Sequence, residues 1–532
     1  MNKFIILLIL FISQSIAFSQ STPIKVTPSQ KFGEVLTYVN RLYVDTVNET
    51  QLTDAAIVAM LEKLDPHSTY ITKDEVDDAN IKIDGSFVGI GIRFQILKDT
   101  LMVVATIPGG PSEKLGILAG DKIVKVENKN IAGIGLKNAQ VRENLLGELG
   151  SKVKVEIIRK NAKKPISYTI TRAKIPVNSV DCYYMVTPEI GYIKLNSFSR
   201  SSVEEVQKSI AELNSKGMKS LIFDLQGNGG GLLNAAQGVA DEFLSENKLI
   251  VYSEGRSQPR YNLKAEKLGK WEKGNLVILT DEYSASASEI VSGAIQDWDR
   301  GLIIGRRTFG KGLVQRPIDL SDGSQIRLTI ARYYTPAGRF IQKPYTDSDN
   351  YKDDLIKRFK HGELQHADSI HMPDSLKQYT LVTKRAVYNG GGIMPDIFVA
   401  MDTTEITDYF RNIVQGGHVN SFSLTYVNEN RDALLKKYPT FQSFKQNFTN
   451  DEKFMKEFFQ YISKEDPKLT FKEDQYKISE RIIKLRLKSY LAQDLWGLNE
   501  FYEIFNASNE ALDKAVKVLN SKEYEKMNLD KK

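Results

Sequence analysis

The stretch NLVILTDEYSASASEIVSGAIQDWDRG, residues 275–301, reads as a short apolar strand, a small-residue turn and a helix. A strand feeding a helix presents the joining residues at the strand's C-terminal edge, where open α/β sheets place their sites. The first amides of the helix lie beside that turn without intrahelical acceptors. Three serines occupy alternate positions there, Ser284, Ser286 and Ser288, and Ala285 and Ala287 leave room for a substrate backbone. The same residues also suit a plain helix start in which the serines only cap. The local sequence does not separate the three.

The flanking sequence extends the pattern. IGYIKLNSF (190–198), SLIFDLQ (220–226) and LIIGRR (302–307) read as strands, and SVEEVQKSIAELNSKG (202–217) and LLNAAQGVADEFLS (232–245) as helices. Strands alternating with helices predict an α/β core with largely parallel pairing, over about 178–402. Residues 84–172 differ. FVGIGIRFQI, LMVVATI, DKIVKVEN and SKVKVEIIR predict a small β-rich module, with Pro111 opening a short helix and Gly116 closing it. Residues 26–80 and 403–532 read as helical. His67 follows Pro66 at a helix end, where a cap or surface role is expected. Residues 346–380 are polar and hold His361, His366 and His371, whose spacing shares no helical face; a solvated insertion without a metal is expected.

A net charge of +6 over 532 residues, without a basic cluster interleaved with aromatics, gives no nucleic-acid signature. Residues 1–19 read as a secretory signal: Lys3 precedes an apolar run over 4–12, and Ala17 and Ser19 suit cleavage. The run is shorter than the ~20 residues that a membrane helix needs. The expectation is an exported, periplasmic protein, soluble or peripherally bound to the membrane. Cys182 is the only cysteine, so the chain forms no internal disulfide, and its strand-like setting predicts a buried thiol.

A nucleophilic serine needs a base. No histidine lies between residues 68 and 360, which leaves a histidine triad without support. Lys311, between Gly310 and Gly312, is the alternative. Burial disfavours a charged amine and brings it nearer working pH. Gln315, four residues on in an expected strand, is predicted to share its face and to orient the amine. DLQGNGGGLLNAA (224–236) is a strand, a glycine-rich turn and a helix start, suited to oxyanion binding and lacking the residues of a phosphate loop. Asp297, eleven residues after Ser286, is expected to make an ionic or capping contact.

SASASEIVSGAIQDWDRG, TFGKGLVQ, GGIMPDI and DPHSTYIT, in that family's order, together resemble the carboxyl-terminal processing (tail-specific) peptidases. FVGIGIRF and IPGGPSEKLGILAGDKIVKVEN resemble their PDZ domain. The resemblance covers about residues 35–400. It implies a ClpP/crotonase-like spiral core with an inserted PDZ domain and helical ends. It further implies a serine endopeptidase without cofactor or metal, with nucleophile Ser286, base Lys311, supporting Gln315, and oxyanion amides of Gly230 and Ala287. Val88, Gly89, Ile90, Gly91 and Ile92 fall on the PDZ carboxylate-binding loop, which implies capture of apolar substrate C-termini by strand addition. The family usually has arginine two positions after Asp224, where it couples the PDZ domain to the active site; here that residue is Gln226. The helical ends are expected to cap the core, form a homodimer contact or bind an adaptor. The rival reading is a non-catalytic PDZ assembly protein on a vestigial peptidase core.

Overall fold

The computed structural model describes residues 26–160, 162–345, 351–527 and 529. The expected signal segment, 1–19, lies outside them. The chain divides into two units, residues 1–64 and 65–532. In the first, helices Pro28–Leu42 and Glu49–Glu62 are each capped by a side chain, from Thr27 and Asn48. Phe32, Val35, Tyr38 and Leu42 form an apolar stripe that stays more than half exposed.

The second unit is built on a six-stranded sheet in the order Val180–Met185, Ile190–Leu195, Ser220–Asp224, Asn275–Thr280, Leu302–Gly305 and Ile397–Phe398. The first pair is antiparallel and every other pair is parallel. NLVILT is apolar without alternation because both faces of its strand are covered. Leu276 and Ile278 face the helices Ser202–Ser215, Leu233–Asp241 and Ala287–Asp297. Val277 and Leu279 face Ala511, Leu512, Ala515 and Val518 of helix Glu510–Leu519. The C-terminal region therefore closes the second face of the core sheet. Ahead of that helix, six helices between Asp408 and Phe505 make a separate bundle with an aromatic core around Phe422, Phe444, Phe454 and Phe458. None of the described helices is long and apolar enough to cross a membrane.

Residues 86–176 form the β-rich module. Its sheet runs Ile92–Leu97, Thr100–Thr106, Lys122–Val126, Lys152–Ile158, Ile166–Thr171, which leaves Ile92–Leu97 as an edge strand. The expected short helix spans Pro111–Lys114. A further sheet brings Thr69–Ile71 and Leu313–Asp319 to either side of Gln325–Tyr334.

Two expectations need correction or completion. The segment after residue 350 is not simply a solvated insertion. Tyr351, Arg358 and Leu364 are buried, because Arg358 and Glu363 pair and Arg358 donates to the carbonyls of Arg307 and Thr308. Its three histidines are exposed, and no described cluster is arranged to hold a metal ion. Asp297 is buried and pairs with Arg339, which has no exposed surface and two further nitrogens without partners. Asp297→Ala strands that guanidinium, at a cost of about 3–5 kcal/mol. A loss of unfolding free energy of that size, read from denaturant titration, is expected, whereas an unchanged midpoint contradicts a structural role for the pair.

Candidate active site

The strand Asn275–Thr280 ends in a turn that carries Ser286 to the start of helix Ala287–Asp297. The three serines part company here. Ser284 Oγ donates to the Leu225 carbonyl and Ser288 Oγ to that of Asn228, each at 2.8 Å, and both are fully buried. Ser286 is half-buried, and its hydroxyl donates to no acceptor among the described residues. Its backbone has φ 57° and ψ −111°. A non-glycine residue at that φ is strained by roughly 1–3 kcal/mol, and such strain concentrates where a side chain must be exposed on a sharp turn.

What holds the strain is Glu289. Its carboxylate is fully buried and accepts four hydrogen bonds: from Ser286 N at 2.8 Å, Thr308 Oγ1 at 2.5 Å, Gly310 N at 2.7 Å and Lys311 N at 2.8 Å. Burial raises its pKa, and the four donors oppose that rise. Tyr333 adds a second tie, since its hydroxyl bonds the carbonyls of both Ser286 and Lys311. Lys311 is thus fixed beside the helix start although 25 positions separate it from Ser286 in the chain. Burial lowers the pKa of its amine, with Arg327 adding to the fall and the carboxylates of Glu289 and Asp65 opposing it. Among the described residues Lys311 Nζ has no hydrogen-bond partner.

Gln315 sits differently from expectation. Lys311 precedes the strand Leu313–Asp319, whose Val314 and Gln315 pair with Ala331 and Thr329, so that Ile330 is left as the extra residue of a bulge on the partner strand. Gln315 Nε2 instead donates to Thr329 Oγ1 at 3.2 Å, and Thr329 Oγ1 donates to Asp65 Oδ1 at 3.1 Å. Asp65 also accepts from the amides of His67 and Ser68 and the hydroxyl of Ser68. His67 is neither a cap nor a surface residue. Its Nε2 lies 2.6 Å from Tyr351 Oη, and burial, followed by the charge of Lys311, lowers its pKa to about 4. The motif DPHSTYIT marked this segment, but nothing local in it revealed the distant lysine that it faces.

Gly230 lies against the helix start. A Cβ there would come within 2.8 Å of Ser286 Cβ and 3.0 Å of Ala287 N, so at its φ of 101° only glycine fits. Its amide, however, is already bonded to Asn228 Oδ1 at 2.9 Å, contrary to a free oxyanion donor. The Ala287 amide, first in the helix, has no intrahelical acceptor. In the β-rich module, Ile90, Gly91 and Ile92 line a groove of about 290 Å³ with Phe94, Val141 and Leu145. The carbonyls of Ile90 and Gly91 are tied off by Ser112 and Ile107. Val88 and Gly89 do not line the groove, although Phe87 of the same strand does.

The family model for peptidase family S41 matches residues 189–351, that for the PDZ domain residues 88–170, and a family of unknown function residues 409–497. A carboxy-terminal-processing protease of Bartonella bacilliformis is 37% identical over 317 residues, 59% of this chain and 72% of that one. The chain belongs to the carboxy-terminal processing protease family. The processing protease CtpA of Bacillus subtilis is 34% identical over 314 residues, 59% of this chain and 66% of its own length. Among solved structures, a photosystem II D1 C-terminal processing protease is 27% identical, with a TM-score of 0.36, covering 71% of this chain and 95% of that one. The family member described here is accordingly a serine endopeptidase with a PDZ domain on a mixed α/β core.

The backbone strain at position 286 is open to measurement. Ser286→Gly relieves the positive φ and Ser286→Ala keeps it, so the glycine variant is expected to be more stable by about 1 kcal/mol. Equal midpoints in denaturant for the two variants contradict a strained turn.

Proposed function

We propose that Ser286 and Lys311 perform the hydrolysis as a serine–lysine dyad on the C-terminal tails of exported proteins. The observation that carries this reading is the Glu289 carboxylate, which holds the backbone of both residues while, among the described residues, the Ser286 hydroxyl proton has no acceptor and the Lys311 amine no hydrogen-bond partner. Ser286 Oγ attacks the scissile carbonyl carbon as its proton passes to neutral Lys311 Nζ. The ammonium then protonates the leaving amine as the C–N bond breaks. Water attacks the acyl-enzyme as Lys311 accepts its proton, and the ammonium then returns that proton to Ser286 Oγ as the acyl–Oγ bond breaks and the carboxylic acid product leaves. The Ala287 amide supports the oxyanion, joined by Gly230 once its amide leaves Asn228. Gln315 acts at one remove, through Thr329 and Asp65.

Substrate selection rests on the groove beside edge strand Ile92–Leu97. An extended tail adds to that edge, with its carboxylate on the amides around Ile90 and Gly91 and an apolar last side chain in the cavity. A PDZ domain of a carboxy-terminal protease from Vibrio cholerae, 29% identical over 17% of this chain, has been solved in complex with peptide, at a TM-score of 0.16. The N-terminal sequence supports export to the periplasm, and the exposed stripe of helix Pro28–Leu42 supports pairing with a second copy of the chain. Tyr38→Asp in the full chain is then expected to halve the mass measured by light scattering. A wild-type protein that is already monomeric contradicts the pairing.

Cleavage of a tail-bearing substrate is expected to vanish in Ser286→Ala and Lys311→Ala, and in Lys311→Arg, where the guanidinium stays charged. Full activity in the serine variant contradicts the dyad. Rate increases with pH through the lowered pKa of Lys311, because only the neutral amine accepts a proton. Asp65 raises that pKa, so Asp65→Asn moves the rising limb to lower pH. A limb that stays put, or moves up, contradicts the placement of charge around the amine.

A further inference from the structure

A groove of about 660 Å³ opens on the sheet that follows the lysine loop. Its lining comes from the strand Gln325–Tyr334, from the strand Leu313–Asp319 on one side of it, and from the hairpin Leu249–Gly255 and Gln258–Lys264 on the other. Cross-strand partners share a face of a sheet. Gln315 stands opposite Thr329 and Leu313 opposite Arg332, while Glu254 meets Arg332 from the other side and Tyr252 meets Tyr334. One face therefore carries Gln315 and Thr329, then Leu313, Arg332 and Glu254, then Tyr252 and Tyr334.

Thr329 and Leu313 tie this groove to the reacting groups. The Thr329 hydroxyl joins Gln315 to Asp65, whose charge bears on Lys311, and Leu313 is two residues from Lys311. Beyond them the lining is cationic. Arg256, Arg260 and Arg332 are matched by Glu254 alone, and three positive charges less one negative leave an excess of two. Aromatic rings, rather than carboxylates, hold two of these guanidiniums. Arg260 lies 3.7 Å over the Tyr252 ring, Tyr252 stacks on Tyr334 at 4.8 Å, Tyr334 meets Phe340 at 5.4 Å, and Arg332 lies 5.5 Å from Phe340. All three arginines are exposed, and none forms an ion pair among the described residues. Arg260 gives only its Nε–H, to Asn262. A guanidinium stacked on a ring keeps its remaining donors for a carboxylate.

We propose that this groove binds acidic side chains of the polypeptide substrate near the scissile bond, so that the peptidase prefers Asp or Glu there over neutral residues. The selected substrate is an extended chain with carboxylates beside the point of cleavage, chosen separately from the residues at its C-terminus. This rests on the reading of Ser286 and Lys311 as the reacting pair, because Lys311 is what places the groove beside the chemistry. Exposed charge pairs of this kind each contribute up to about fivefold, and salt weakens them.

The test uses the full chain and a set of synthetic peptides with one apolar C-terminal tail, in which Gln residues on either side of the scissile bond are replaced by Glu one at a time. The wild type is expected to cleave the Glu peptide with a kcat/KM about fivefold higher at one position or at two neighbouring ones, and to lose most of that advantage at high salt. The double variant Arg260→Gln, Arg332→Gln is expected to bring the Glu-to-Gln ratio close to one. The double variant Arg260→Glu, Arg332→Glu is expected to favour Lys at the same position. Each ratio is read within one variant, so a loss of folded protein does not alter it. Equal cleavage of Glu and Gln peptides by the wild type at every position, or a ratio that the arginine variants leave unchanged, overturns the acidic preference alone, provided that cleavage vanishes in Ser286→Ala. Cleavage that persists in Ser286→Ala, or no cleavage of any peptide by the wild type, overturns the dyad reading and this inference together.

Discussion

A single buried carboxylate organises the active site. Glu289 accepts from Ser286, Thr308, Gly310 and Lys311, and so joins the start of one helix to a loop arriving from the next strand. A carboxylate with no exposed surface is costly unless its oxygens are satisfied, and these four donors satisfy them. The same bonds restrain Ser286 at a φ that no serine prefers. The loop is in turn backed by Arg358, which holds the carbonyls of Arg307 and Thr308. The placement of Ser286 and Lys311 is therefore a property of the whole Thr308–Lys311 turn.

The core sheet makes this possible by being buried on both faces. Helix Ala287–Asp297 covers one face and helix Glu510–Leu519 the other, which fixes the C-terminal edge of the strand Asn275–Thr280 from both sides. The C-terminal region is for that reason part of the peptidase core as well as a separate bundle. Its last helices complete the sheet, and the bundle before them holds the PDZ domain.

Much of the fold was legible because it depends on local rules. The unbroken apolar run NLVILT, the helical spacing after it, and the proline and glycine around residues 111–116 each specify one element with little help from distant contacts. The site was legible in part. The glycine-flanked lysine and the missing histidine pointed to Lys311, and the resemblance singled out Ser286. Local sequence could not separate the three serines, because the difference lies in acceptors supplied by Leu225 and Asn228. The hydrogen bond of Gln315 could not be read from spacing, because its acceptor Thr329 and the carboxylate of Asp65 behind it come from distant segments. Glu289 went unnoticed since an acid in the first turn of a helix is ordinary; its role appears only when Thr308 and Gly310 arrive. Asn228 hid the state of Gly230 in the same way, by a side-chain bond that the glycine pattern does not show. Arg358 and Glu363 looked solvated because charged residues are usually exposed, whereas here they satisfy each other.

The central claim is that Lys311 is held as an amine able to accept a proton. It is tested most directly by NMR titration of the side chain in protein carrying labelled lysine, with the signal assigned by its loss in Lys311→Arg. The account predicts a pKa for Lys311 clearly below the ~10.4 of an ordinary lysine. A Lys311 signal that titrates with the bulk of the lysines would contradict it.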